Sequence, residues 1–328
     1  MFEIKIDTSH INIYFAWKDV KKKISLKKPY RRNFYNTLGE YKYVLDNLPV
    51  VETSDKYKDA IWILWLQGEE NAPEIVKKCI ESVRYFHSDK QIIVLDLDSL
   101  KNYIEIPDYI QDKYSKGIIG HAHFSDYVRL CLLAKYGGTW IDSTLLLTDK
   151  LPDYMINSDM FMVKNANCFE NLDYSIFNVY EKKKKFRLFP KKTKKTQRSW
   201  WANWYIHSEP NNRVILSVLG YFNEYWKKEN CLKDYFMFHK FMGFTYDNDE
   251  KCREILDKME QVPHTYAFLL HEFGKTPYIK ETFDKIVGMS CIHKLTYRRL
   301  EKQDKQWLDR VYNLDFSKTK GWFKDFKL

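Results

Sequence analysis

The strongest constraint in this sequence is a mostly apolar helical run that carries a charged pair and stops at two glycines. Residues 120–144 read GHAHFSDYVRLCLLAKYGGTWIDST. From His121 to Lys135, the residues Phe124, Tyr127, Val128, Leu130, Cys131, Leu132 and Ala134 cover most of the helix circumference, which predicts a helix buried nearly all round. Asp126 and Arg129 fall inside that run. Three residues apart, they share one face, and a charged pair on a buried helix is costly unless both partners are satisfied. Gly137 and Gly138 supply the backbone freedom of a helix C-cap. TWID then reads as a short buried strand that delivers Asp142, Ser143 and Thr144 at its end, which is where an open α/β sheet binds ligands. A carboxylate followed by two hydroxyls is oxygen chemistry suited to a hard divalent cation and the phosphates it neutralises.

The strands around this stretch point to an α/β domain. AIWILWL from Ala60 is a short apolar run rich in β-formers, as a buried parallel strand requires. Residues 74–86 follow at helical spacing behind Pro73, and QIIVLD ends a second strand at Asp96. This β-α-β opening is typical of nucleotide-binding α/β domains. Asp96 and Asp98 also spell a DXD. The following LDSL reads as a helix start, capped by Asp98 or Ser99. DMFMV at 159–163 predicts another strand, whereas RSWWANWYIHSEPNNRVILSVLGYFNEYW from Arg198 reads as two helices divided at Glu209–Asn212. The cluster Trp200, Trp201 and Trp204 suits either a sugar-stacking wall or a core. A helix is expected over 234–246 with Asp234 as its cap, and Asp247, Asp249 and Glu250 read as a solvated turn.

Charge is concentrated in one block. Residues 182–198, KKKKFRLFPKKTKKTQR, hold ten Lys and Arg and no acid, so the remaining 44 bases balance the 44 acids and the net +10 is local. An ordinary solvated loop has this composition. Phe186, Leu188 and Phe189 among the charges favour a membrane interface over a nucleic-acid groove, and no nucleic-acid partner is expected. The longest clear apolar run, Ala60 to Leu66, is far short of the ~18 residues a membrane span needs, and MFEIKIDTSH lacks the signal-peptide pattern. The six cysteines are scattered and read as reduced thiols. A cytoplasmic protein, peripheral at the inner face of the membrane, is therefore expected. The amphipathic 300–328 segment offers a second membrane contact.

The pattern SD, then R at Arg129, then YGG, an aromatic-aliphatic pair and Asp142 resembles the DXD-containing glycosyltransferases of GT-A fold, and within them the capsular polysaccharide synthesis proteins. The resemblance implies a GT-A-like nucleotide-sugar-binding core with a mainly parallel sheet at 59–168. A helical N-terminal extension (1–58) would precede it, and a helical acceptor-side region (169–299) and a basic tail (300–328) would follow. It implies that Asp126 and Arg129 hold hydroxyls of the donor sugar and that Asp142 begins the metal motif for Mn2+ or Mg2+. The second acid of DXD is Thr144 here. The segment CIHKLTYRR resembles the family's late closing motif, which gives His293 to the metal and Lys294 to the diphosphate. Trp65 in LWLQG matches the position whose ring stacks on the donor base, and it reads equally well as a core tryptophan. The expected activity is metal-dependent, retaining transfer from a nucleotide sugar, with a UDP-sugar favoured, to a lipid-linked cell-surface polysaccharide repeat. A protein acceptor, or nucleic-acid binding through 182–198, is the alternative.

Overall fold

The computed structural model describes residues 34–165, 200–260, 262, 264–321 and 323. The basic run 182–198 lies outside them. Strands β1 (Ile61–Leu64), β2 (Ile92–Leu95), β3 (Gly138–Ile141), β5 (Met160–Asn165) and β6 (Trp200–Ser208) form one sheet in the order β2-β1-β3-β6-β5. β1 pairs in parallel with both β2 and β3, while β6 is antiparallel to β3 and to β5. Four of the five strands thus run one way and β6 runs against them, so the sheet is mostly parallel. Between the chain positions of β3 and β5, β4 (Leu145–Leu147) leaves this sheet and pairs antiparallel with β7 (Ile292–Lys294).

Helices cover both faces. α1 (Glu74–Phe86), α2 (Asp108–Ser115), α3 (His121–Tyr136) and the short α4 (Asp153–Ile156) belong to the first half of the chain. α5 (Arg213–Lys228), α6 (Met237–Asn248), α7 (Glu250–Lys258), α8 (His264–Phe273), α9 (Lys280–Met289), α10 (Lys305–Tyr312) and α11 (Phe316–Thr319) follow. The strand alternation of side chains divides the apolar residues between two cores. Trp62 and Leu64 of β1 face the core built with α3, α5 and α6, whereas Ile61 and Ile63 face the core built with α1, α8 and α9. α3 is buried nearly all round, as its composition requires.

Several expectations change. β6 is a strand, not a helix: its nine residues WWANWYIHS carry the large aromatic side chains that a pleated surface accommodates. Since β6 lies inside the central sheet, the sheet crosses the boundary expected at 168. Among the described residues of the 300–328 segment, Trp307, Val311, Leu314 and Phe316 are buried in the second core and are not a free membrane face. In the 96–99 turn Asp98 holds the N-cap position but its side chain makes no capping bond; Asp96 Oδ1 accepts from the Ser99 N–H at 2.7 Å instead. Part of the expected N-terminal extension also joins the main body, with Phe34, Leu38, Tyr41, Val44 and Leu45 buried in the first core. No helix among the described residues is long and apolar enough to cross a membrane.

Candidate active site

The parallel pairing of β1 and β3 brings two strand ends to one edge. Trp62 stands opposite Trp140, so the residues that follow, Trp65 on one strand and Asp142 on the other, emerge side by side. The glycines between α3 and β3 make this approach possible. Gly137 and Gly138 have φ of 68° and 83°, and a Cβ on Gly138 would lie 2.4 Å from the carbonyl oxygen of Ala60. A cleft of about 470 Å³ opens at this edge, lined by Trp65, Asp126, Arg129, Asp142, Ser143, Thr144, Asn203 and Lys294, among others.

Asp126 and Arg129 face this cleft from α3, and both are buried (5% and 4% exposed). Asn203 Nδ2 donates to Asp126 Oδ1 at 2.8 Å. Arg129 lies 3.4 Å from Asp126 Oδ1 through Nη1 and 3.4 Å from Asp142 Oδ1 through Nη2. Its guanidinium also donates to the backbone carbonyls of Ser125 and Asn203 and to Ser125 Oγ. It rests over the Trp140 ring, 4.8 Å from the centroid. Trp140 Nε1 donates to Asp142 Oδ1 at 3.0 Å. Lys294 Nζ donates to Asp142 Oδ2 at 2.9 Å and also to Thr144 Oγ1.

The two carboxylates are tuned in opposite directions. Burial pushes Asp126 above the usual range, and Arg129 only partly offsets it. Burial pushes Asp142 the same way, but Lys294 and Arg129 together outweigh it and hold Asp142 below the usual range. Asp142 is therefore the firmly ionised acid of the pair at neutral pH.

The β4·β7 ladder explains how a residue 152 positions away reaches Asp142. Leu145 pairs with Lys294 and Leu146 with His293, and the Leu295 N–H donates to the Thr144 carbonyl at 2.9 Å. Neighbouring residues on a strand point to opposite faces. Lys294 faces the cleft, so His293 faces away: it is fully buried, and its Nε2 lies 3.0 Å from Thr148 Oγ1. Burial lowers its imidazole to about 3. The structure therefore does not bring His293 to Asp142, contrary to the role expected from the CIHKLTYRR segment.

The oxygens at the strand end do not fit the divalent cation expected from the sequence. Asp142 and Thr144 both receive hydrogen bonds from Lys294, and Asp142 Oδ1 is taken by Trp140 and faced by Arg129. Among the described residues, no group of three or more His, Cys, Asp and Glu side chains stands together as a metal site.

The family is decided by comparison of the whole chain. Residues 15–314 match the family model described as capsular polysaccharide synthesis protein. The chain belongs to this family. It is also 30% identical over 112 residues to "O-glycosyltransferase PaGT" of Phomopsis amygdali, a match covering 31% of the chain and 27% of that relative. The chain thus aligns with about a quarter of this curated relative's length. Among solved structures, "PaToxG Glycosyltransferase" aligns over 93% of the chain and 98% of its own length, at 12% identity and a TM-score of 0.35.

Several cleft residues of this capsular-family protein were not singled out from its sequence. Asn203 is the most informative. Between β5 and β6, Met162 pairs with Ile206 but Lys164 pairs with Trp201. Two steps along one strand therefore oppose five along the other, and this bulge turns Asn203 toward Asp126. Bulges beside active sites re-aim side chains in this way. The signal in the sequence was a lone amide within WWANWY. Tyr297 packs edge-on against Trp65 with centroids 5.1 Å apart. Tyr235 and Phe236 stand exposed at the mouth (55% and 53%), on a turn held by Asp234, whose Oδ1 accepts from the Phe236 N–H at 2.8 Å. Trp201 and Trp204 are buried, and Trp204 also lines the cleft. Trp65 is half-buried on the cleft wall, and its Nε1 finds no hydrogen-bond partner among the described residues.

Proposed function

We propose that this protein is a glycosyltransferase of GT-A organisation that moves a sugar from a nucleoside diphosphate sugar to a saccharide acceptor. The observation that carries this reading is the convergence of Asp126, Arg129, Asp142 and Lys294 on one cleft at the strand ends. Membership of the capsular polysaccharide synthesis family supplies the class of product.

Each part of such a donor meets suitable chemistry in the cleft. The base stacks at Trp65 and Tyr297, and a UDP-sugar is the favoured donor. The sugar hydroxyls are held by Asp126, Arg129 and Asn203, whose donors and acceptors point to one region. The diphosphate lies toward Lys294 and Arg298, which line the same cleft. When the bond from the anomeric carbon to the phosphate oxygen breaks, negative charge grows on the leaving diphosphate. A lysine ammonium fixed at that point stabilises the charge as it forms, in a wall that excludes part of the solvent. Asp142 holds that ammonium in place. The acceptor enters past Tyr235 and Phe236, whose exposed rings suit the apolar face of a sugar.

The acceptor in this proposal is a lipid-linked, capsular or other cell-surface polysaccharide repeat, met at an anionic membrane to which residues 182–198 contribute their charge. Transfer proceeds with retention of anomeric configuration, which proton NMR of the product reads directly. The test is to incubate the purified protein with a panel of nucleotide sugars and lipid-linked saccharides in anionic vesicles and to measure nucleoside diphosphate release. One donor is expected to be consumed in an acceptor-dependent manner. Absence of release or transfer across the panel overturns the proposal.

A further inference from the structure

We propose that Lys294 is a built-in cation for the donor diphosphate: its ammonium occupies the position at Asp142 and Thr144 that a divalent ion would need, and donor binding and transfer run without a metal. This rests on the glycosyl-transfer reading and specifies how that site handles phosphate charge.

The geometry is that of a fixed ammonium. Lys294 Nζ donates to Asp142 Oδ2 at 2.9 Å and to Thr144 Oγ1. These are the first and third residues of DST, the two positions at which a DXD motif presents its acids. The lysine side chain is only 16% exposed, so the charge is held in the wall of the cleft and not free in solvent. Its backbone is pinned by the pairing of Lys294 with Leu145 and by the Leu295 N–H on the Thr144 carbonyl. An ammonium has three N–H donors. Asp142 and Thr144 take two, which leaves one for a phosphate oxygen. Lysine binds phosphate well as a compact point charge.

The threonine at position 144 is what permits this arrangement. A second carboxylate there would give two acids to one ammonium, and a divalent ion would answer that excess. With a hydroxyl in its place, Asp142 alone balances Lys294. The cleft is lined by two carboxylates, Asp126 and Asp142, and by three arginine and lysine cations, Arg129, Lys294 and Arg298, with His121, His123 and His239 on the same walls. Its charge is already set for an anion. A divalent ion bound at Asp142 would have to displace Lys294 and then stand beside it, like charge against like. His293, the histidine expected on the metal from the sequence, faces Thr148 on the other side of the ladder.

The experiment uses the full-length protein and the panel of nucleoside diphosphates and nucleotide sugars, each measured in EDTA and in manganese. Binding is read by calorimetry and transfer by diphosphate release, with a calorimetric manganese titration of the nucleotide-free protein alongside. Wild type is expected to keep affinity and turnover within about twofold in EDTA, and to show no saturable manganese binding by itself. Lys294→Ala is expected to weaken nucleoside diphosphate binding by about tenfold or more and to regain part of it in manganese, because Asp142 and Thr144 are then open to the ion. Lys294→Arg, which keeps the charge, should retain more binding in EDTA than Lys294→Ala. Wild-type binding that falls by more than about tenfold in EDTA and returns with manganese overturns the built-in cation while leaving glycosyl transfer intact. Failure of every nucleotide and nucleotide sugar to bind under both conditions overturns the functional reading and this inference with it.

Discussion

Two arginine–aspartate pairs in this protein show how differently the same two side chains can be used. In the pair between α5 and α7, Arg213 Nε lies 2.9 Å from Asp249 Oδ2 and its Nη2 lies 2.6 Å from the same oxygen. Arg213 also reaches the Leu45 carbonyl at 3.2 Å, and Asp249 Oδ1 accepts from the Cys252 N–H at 2.9 Å, which caps α7. Each group is consumed by the fold. In the cleft, Arg129 stands 3.4 Å from both Asp126 and Asp142, and the ring of acceptors around it opens on a cavity. Close, bidentate contacts finish a structural joint, whereas longer shared contacts beside a cleft leave bonding capacity for a ligand. The pair proposed to bind substrate is thus the one that looks less ideal.

Breaking the cleft pair at its centre gives the largest effect. Arg129→Ala leaves Asp126 and Asp142 without their shared cation in a buried wall, and on the order of 3–5 kcal/mol of stability should be lost, measured by urea unfolding. Donor binding by the folded fraction should fall with it. Asp142→Asn acts mainly on function: turnover should drop about 10²–10³-fold, equivalent to ~3 kcal/mol of barrier, while the unfolding midpoint falls less than in Arg129→Ala, because the amide still fills the site although Lys294 and Arg129 lose its charge.

Asp249→Ala tests the other side of the comparison. Arg213 is partly exposed, at 33%, so the loss is discounted for solvent to about 2 kcal/mol, including the helix cap. Turnover per folded molecule should not change. Burial alone would raise Asp249, but Arg213 and the Cys252 N–H hold it below the usual carboxylate range. Its contribution is therefore present above the unfolded value near pH 4 and lost as pH falls through the lower folded value.

At neutral pH the smallest effect belongs to His293. Burial lowers its imidazole to about 3, against about 6.5 in the unfolded chain. Stability is then complete above about pH 6.5 and declines as pH falls toward 3, on the order of 1 kcal/mol per pH unit for this one proton. His293→Gln should flatten that decline in unfolding curves taken at pH 7 and pH 5. Nucleotide binding should stay the same, because the ring faces Thr148 and not the cleft.

The parts of the fold written in local pattern were legible before the structure. α3 was evident from its apolar surround, its end from Gly137 and Gly138, and the placing of Asp142 from the strand between. β1, α1 and β2 followed from periodicity. The pairing of Asp126 with Arg129 needed only their spacing. What escaped depended on long-range pairing or on strand phase. Three residues of β7 carry too short a pattern to say whether His293 or Lys294 faces the cleft, and only the ladder with β4 decides it. WWANWYIHS satisfies helical and extended patterns alike, and its bulge exists only against β5. Asp249 read as a solvated turn because Arg213, 36 residues earlier, gave no local sign of the pairing.

The cleft at Asp142 is proposed to receive a nucleoside diphosphate sugar. The most direct test is equilibrium binding of the nucleotide-sugar panel to wild type and to Asp142→Asn, with circular dichroism to establish that both are folded. At least one nucleotide sugar is expected to bind wild type saturably, and its affinity should fall by about tenfold or more in the variant, because Lys294 loses the charge that fixes it. Equal affinity in the two proteins, or no binding to wild type across the panel, would contradict the account.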